Sequence, residues 1–98
     1  MSISALLAED RRLVVLRALS EDAGYSHNES VLQSILAAFG HTISRDQVRN
    51  LISWLAEQDL VNVETVGDYM VAKLTGRGAD VAAGRATVPG VKRPAPRG

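Results

Sequence analysis

Few side chains in this sequence are of a type that does chemistry. His27 and His41 are its two imidazoles, and each falls in a turn with no second ligand at metal-binding spacing, so a capping or surface role is expected of both. There is no cysteine, which removes thiolate metal sites and disulfide frameworks. No Ser/His/Asp set, paired-carboxylate pocket or glycine-rich phosphate loop can be assembled. Gly76-x-Gly78 is too short for a nucleotide fingerprint and reads as easing packing where the chain leaves a hairpin. The expectation is a protein that is not an enzyme, with no cofactor, no metal and no small-molecule substrate. What remains is one polar helical face. At about 100° per residue, Asp46, Arg49, Asn50, Ser53 and Glu57 cluster opposite Val48, Leu51, Ile52 and Leu55. Charged and amide groups on such a face offer binding, not bond-making.

The elements that must position this face follow from caps and periodicity. Residues 4–20 read as a helix with Leu6, Leu13 and Leu16 near one side and Val14, Val15 and Leu19 widening it. Glu21, Asp22, Gly24 and Ser26 have turn composition. A second helix follows, with Ser26 and Glu29 at capping-box spacing and Asn28 as a rival cap; its stripe is Val31, Leu32, Ile35, Leu36 and Phe39. Gly40 stands at the left-handed position that ends it. The strongest start signal is Ser44 with Gln47, a capping box, flanked by the hydrophobic staple Ile43 and Val48. It opens a third helix running to about Gln58. The period then changes to 2. Residues 60–66 and 69–74 read as strands around the two-residue turn Gly67-Asp68, pairing 66 with 69 and 61 with 74. That register puts Val61, Val63, Thr65, Met70, Ala72 and Leu74 on one face. Thr75 caps a last short helix over 76–84.

Ninety-eight residues make one domain, and 46% hydrophobic with 22% charged is ordinary for a soluble globular chain. The expected division is a domain over 1–84 and a basic, Pro/Gly-rich disordered tail over 85–98. Charge is split the same way. The tail carries Arg85, Lys92, Arg93 and Arg97 and no acid, while residues 1–84 hold seven bases against eleven acids. No basic region followed by an apolar run marks a signal peptide, and no apolar stretch approaches the roughly 20 residues of a membrane span, so the expected location is the cytoplasm. Trp54 and the tyrosines Tyr25 and Tyr69 read as packing residues, and Glu9, Asp10, Arg11 and Arg12 as a solvated face with local ion pairs.

Helix, helix, tight turn, helix, hairpin, helix is an order that resembles the winged helix-turn-helix family over residues 4–84. The residues that carry the resemblance are Ser44 to Arg49 opening the third helix, Trp54 to Val61 closing it, and Leu74-Thr75-x-x-Gly78 leaving the hairpin. The fold class it implies is mainly α with a small β-hairpin. The segments Glu9 to Leu13, Phe39-Gly40-His41 and Val88 to Pro94 also look like a family of small proteins of Mu-like phages and prophages, assigned to the same superfamily. That second resemblance implies a phage context in a bacterial host and brings no particular activity.

In the winged-helix family the third helix reads the major groove of double-stranded DNA. The resemblance therefore implies contact with bases by Arg49, Asn50 and Ser53, with Arg49 suited to guanine and Asn50 to adenine. It implies phosphate contact by Arg45, and by Thr42 and Ser44 with the free N–H groups at the helix start. The wing tip Gly67-Asp68 carries no cation, with Glu64 nearby and Lys73 alone on the outer face, a departure from the family's pattern. Lys92 and Arg93 of the tail are positioned to supply phosphate contacts instead. A homodimer is expected, joined through the first helix (Leu6, Leu7, Val14, Val15) and the last (Val81, Ala82). A protein–protein adaptor in phage assembly or host-factor binding is the competing function on the same fold, and the acidic body and wing tip favour it.

Overall fold

Every helix begins at a side chain that satisfies free backbone N–H groups. The computed structural model describes residues 2–96. Ser2 caps α1 (Ile3–Glu21) through Ala5 N–H, and Asn28 caps α2 (Glu29–Ala38) through Val31 N–H. Ser44 caps α3 (Arg45–Glu57), with both halves of the Ser44–Gln47 capping box formed, and Thr75 caps α4 (Gly76–Ala83). Of the two rival caps for α2, Asn28 is the one used; Ser26 lies in a strand.

Three helices end in the same way, α4 at Gly84 (φ +82°) with Arg85 N–H reaching the Asp80 carbonyl at 2.9 Å. Gly40 (φ +90°) follows α2, and His41 N–H reaches Leu36 carbonyl at 2.8 Å. Asp59 (φ +59°) follows α3, and Leu60 N–H reaches Leu55 carbonyl at 3.0 Å. Each is a Schellman closure, and that of α3 uses an aspartate where glycine is usual. Thr75 Oγ1 donates to the Asp59 carbonyl at 2.7 Å, which ties the end of α3 to the start of α4.

The sheet has three strands, not the two of a lone hairpin. β2 (Val61–Val66) and β3 (Tyr69–Leu74) pair antiparallel in the expected register, Val66 opposite Tyr69 and Val61 opposite Leu74. β1 (Ser26–Asn28) pairs antiparallel with the other edge of β3, giving the order β1-β3-β2. Three residues with a turn-like composition carry no strand signal of their own; they become a strand because β3 offers an unpaired edge. The expected apolar face of the hairpin is buried only at its base. Val61 and Ala72 are buried, Met70 and Leu74 half-buried, and Val63 exposed, so the tip projects from the body.

The core lies where α1, α2 and α3 meet the base of the sheet, and it contains Leu16, Leu19, Leu32, Leu36, Ile52 and Leu55. Val15, Val81 and Ala82, expected on a dimer surface, are buried in the same core, which leaves Leu6 and Leu7 exposed from that set. Gly78 lets α4 lie against the chain at Leu60, because a Cβ there would collide with the Leu60 carbonyl oxygen.

The segment after α4 departs from the reading as a disordered tail. Val88 and Val91 are buried, Lys92 N–H donates to the Glu9 carbonyl of α1 at 3.2 Å, and Ala95 lines a cleft beside α1. Two valines in a Pro/Gly-rich stretch make no periodic pattern, yet each finds an apolar seat. Arg97 and Gly98, the end of that expected tail, lie outside the described residues.

Candidate functional site

The third helix was expected to carry the site, and its two arginines are held from behind by one carboxylate. Glu29, in the first turn of α2, is 2% exposed, and one of its oxygens accepts the Met70 N–H of β3 at 3.1 Å. The same side chain lies 3.3 Å from Arg49 Nε and 3.6 Å from an Arg45 terminal nitrogen. Arg45 also donates through Nε to Gln33 at 2.9 Å, and Gln33 in turn donates to the Ile43 carbonyl at 3.0 Å. The Arg45 guanidinium sits over the Tyr69 ring, 5.7 Å from its centre, and Arg49 Nε meets the Met70 sulfur at 3.4 Å. Glu29 thus joins α2, α3 and the hairpin. Two positive charges share one negative charge, so the face offers a partner less net charge than its residue types suggest.

The remaining candidates separate into distinct places. Arg49, Asn50 and Ser53 are exposed on α3. Thr42 is exposed in the connection before it, whereas Ser44 is committed to the cap, its Oγ accepting the Gln47 N–H at 3.1 Å. Lys73 is exposed on the central strand, with Asn62 and Ser26 as its cross-strand neighbours. Lys92 and the exposed Arg93 lie with the C-terminal segment, and Lys92 Nζ reaches Asp10 at 3.3 Å.

His41 departs from the expected surface role. It is 6% exposed, and its Nε2 lies 2.7 Å from Asp10 of α1. Burial alone pushes the Asp10 carboxyl up, but its hydrogen bonds to His41 and Lys92, with their charges, outweigh that and leave it below its ordinary value. His41, Asp10 and Lys92 therefore join the α2–α3 turn, α1 and the C-terminal segment. His27 lies on β1, 3.8 Å from Asp22.

The run Glu9 to Arg12 is not simply a solvated face. Besides Asp10, Arg12 stacks on Trp54 with 3.9 Å to the ring centre and donates to the Gly90 carbonyl at 2.9 Å. Glu29, Asp10, Arg12 and Trp54 all carry structure that no local spacing announces. Their partners lie between 16 and 82 positions away, beyond the reach of helical or strand periodicity.

Two clefts flank these networks. One, of about 600 Å³, runs between α1 and α2; Leu13, Val14 and Phe39 line it together with the acids Asp10, Glu21 and Asp22. The other, of about 320 Å³, lies between α1 and α3 beside Trp54.

No family model matches the chain. Among curated proteins it is similar to gp26 of Escherichia phage Mu, 58% identical over 95 residues that make up 97% of this chain and 98% of that protein. It is also similar to a protein of Haemophilus influenzae (strain ATCC 51907 / DSM 11121 / KW20 / Rd), 54% identical over 78 residues, covering 79% of this chain and 76% of that one. Both relatives are described as uncharacterized proteins.

Proposed function

Because the chain belongs to the family of phage Mu gp26, we propose that it is a DNA-binding protein of a phage or prophage, a transcriptional regulator or accessory factor working in the bacterial cytoplasm. The reading treats the fold as a winged helix-turn-helix, with α3 in the major groove and the β2–β3 hairpin as the wing. It is supported by the order α1-β1-α2-α3-β2-β3, by the short connection between α2 and α3, and by the return of β1 to the far edge of β3. The observation that carries it is the split of α3. Val48, Leu51, Ile52 and Leu55 are buried, and Arg49, Asn50 and Ser53 stand exposed on the helix's other side.

The test is selection of binding sites from a random duplex pool at low and physiological salt. Asn50→Ala with Ser53→Ala removes groups suited to base edges without releasing Glu29 from its arginines. An enriched motif that this pair of changes relaxes supports sequence-specific recognition; absence of duplex binding at low salt overturns the reading. A homodimer would place two copies of α3 on two half-sites, and the exposed Leu6 and Leu7 on α1 are the apolar residues left for such a contact.

A protein–protein adaptor is the second reading. It rests on the cleft between α1 and α2, where Phe39 is 68% exposed beside the acids Asp10, Glu21 and Asp22.

A further inference from the structure

We propose that the cleft between α1 and α3 binds a phosphate group, held by the Arg11 guanidinium and the side-chain amide of Gln47, beside the Arg12–Trp54 stack. This site is separate from the Glu29 network, and in its duplex form it rests on the DNA-binding reading.

Charge selects this cleft. The residues from 1 to 84 carry an excess of acids, yet Arg11 and Arg12 both line the cleft, and among the described residues no carboxylate does. In the larger cleft between α1 and α2 the cations Arg17 and Lys92 stand among three carboxylates, Asp10, Glu21 and Asp22, which outnumber them and oppose an oxyanion.

Partner accounting selects the residues. Arg45 and Arg49 share Glu29, and Arg85 pairs with Asp80. Arg12 is stacked on Trp54 and bonded to the Gly90 carbonyl. Among the described residues Arg11, Arg17, Lys73, Arg77 and Arg93 make no ion pair, and of these Arg11 lines this cleft and has a buried Nε with no hydrogen-bond partner. The guanidinium has no anionic partner, and a phosphate oxygen is the acceptor its planar donor fork fits best. The opposite wall completes a donor set. The Gln47 carbonyl oxygen is occupied by the cap at Ser44 N–H, 3.0 Å away, which leaves its NH₂ end as the uncommitted group. Because Gln47 belongs to α3, a backbone phosphate held here would lie directly beside the helix proposed to enter the groove.

The test uses the full-length chain. Trp54, the single tryptophan, lines the cleft and reports on it by fluorescence, and the Gln47 and Asn50 side-chain amides report by NMR. Titration with inorganic phosphate at constant ionic strength is expected to shift all three saturably. Arg11→Gln is expected to weaken that binding about tenfold, and Arg11→Lys to restore part of it. In a second arm, binding to a short duplex is followed against salt; Arg11→Gln is expected to lower the slope of log affinity on log salt by about one. No phosphate-dependent shift at these residues, or the same midpoint in Arg11→Gln, overturns the site. A moved phosphate midpoint with an unchanged duplex slope supports the site with free phosphate as its source. Phosphate binding by a protein that binds no duplex supports the site and overturns only the DNA reading.

Discussion

The carboxylate of Glu29, at the first position of α2, lies 3.3 Å from the Nε of Arg49 in α3 and accepts the Met70 N–H of β3 at 3.1 Å. One buried acid thus sets the spacing between two helices and the hairpin. Glu29→Ala removes an acceptor for a backbone N–H and leaves two adjacent cations unneutralised. The expected loss is about 1–3 kcal/mol, kept low because both arginine heads reach solvent. For a domain of this size that is a fall in Tm of several degrees, on the order of 4–8 °C per kcal/mol, read by thermal melting. Arg49→Ala is expected to cost less, since Arg45 still faces the carboxylate at 3.6 Å. An Arg49→Ala loss larger than that of Glu29→Ala would contradict this division.

Asp10 predicts the acid limb of stability. Its pKa is lower in the folded protein than its ordinary value of 3.8, because the bonds to His41 and Lys92 outweigh the effect of burial. A depressed carboxyl contributes stability that is present above its unfolded value and is lost as pH falls through the folded one. Urea midpoints should therefore fall as pH drops below about 4, and Asp10→Asn should flatten that part of the profile while lowering the midpoint at pH 7. A profile of the same steepness in Asp10→Asn would remove Asp10 as its source.

The C-terminal segment is expected to be structural. Val88 and Val91 are 5% and 7% exposed, and burying a valine contributes about 1.5–3 kcal/mol as an upper bound. Deleting residues 86–98 should cost about 2–4 kcal/mol, measured by urea unfolding; an unchanged midpoint would show the segment to be dispensable. Gly90→Ala probes the same seat with one atom. Gly90 has φ +96°, and a Cβ there would stand 2.9 Å from Trp54 Cζ2. The expected result is a changed Trp54 emission and a loss of about 1–2 kcal/mol.

Gly78→Ala is expected to be the most damaging change to a single small residue. The added methyl would meet the Leu60 carbonyl and the Leu74 side chain, so α4 must move off the base of the sheet. A loss of about 2 kcal/mol or more, or failure to fold, is expected in thermal melts. An unchanged Tm would mean that α4 does not lie against Leu60.

Caps, stripes and the hairpin register were legible in the sequence because each is set by residues within about one or two turns of one another. Ser44 with Gln47, Gly40 after Phe39, and the pairing of Val66 with Tyr69 are all short-range geometry, and each stands where its pattern put it. The polar face of α3 was legible for the same reason: helical periodicity alone separates Arg49, Asn50 and Ser53 from the buried stripe.

Tertiary structure decided what those residues touch. Ser26–Asn28 became a strand only because β3 offered an edge. Val88 and Val91 became core only because α1 offered a seat, and His41 became a buried partner of Asp10, although all three lie in stretches of turn or tail composition. Most decisively, the two arginines of α3 share Glu29, while Arg11, which reads as one member of a charged run, is left with a buried Nε that has no hydrogen-bond partner. Periodicity states which way a side chain points. Which charge lies 3–4 Å away depends on how separate elements pack, and that distance sets the field each cation presents.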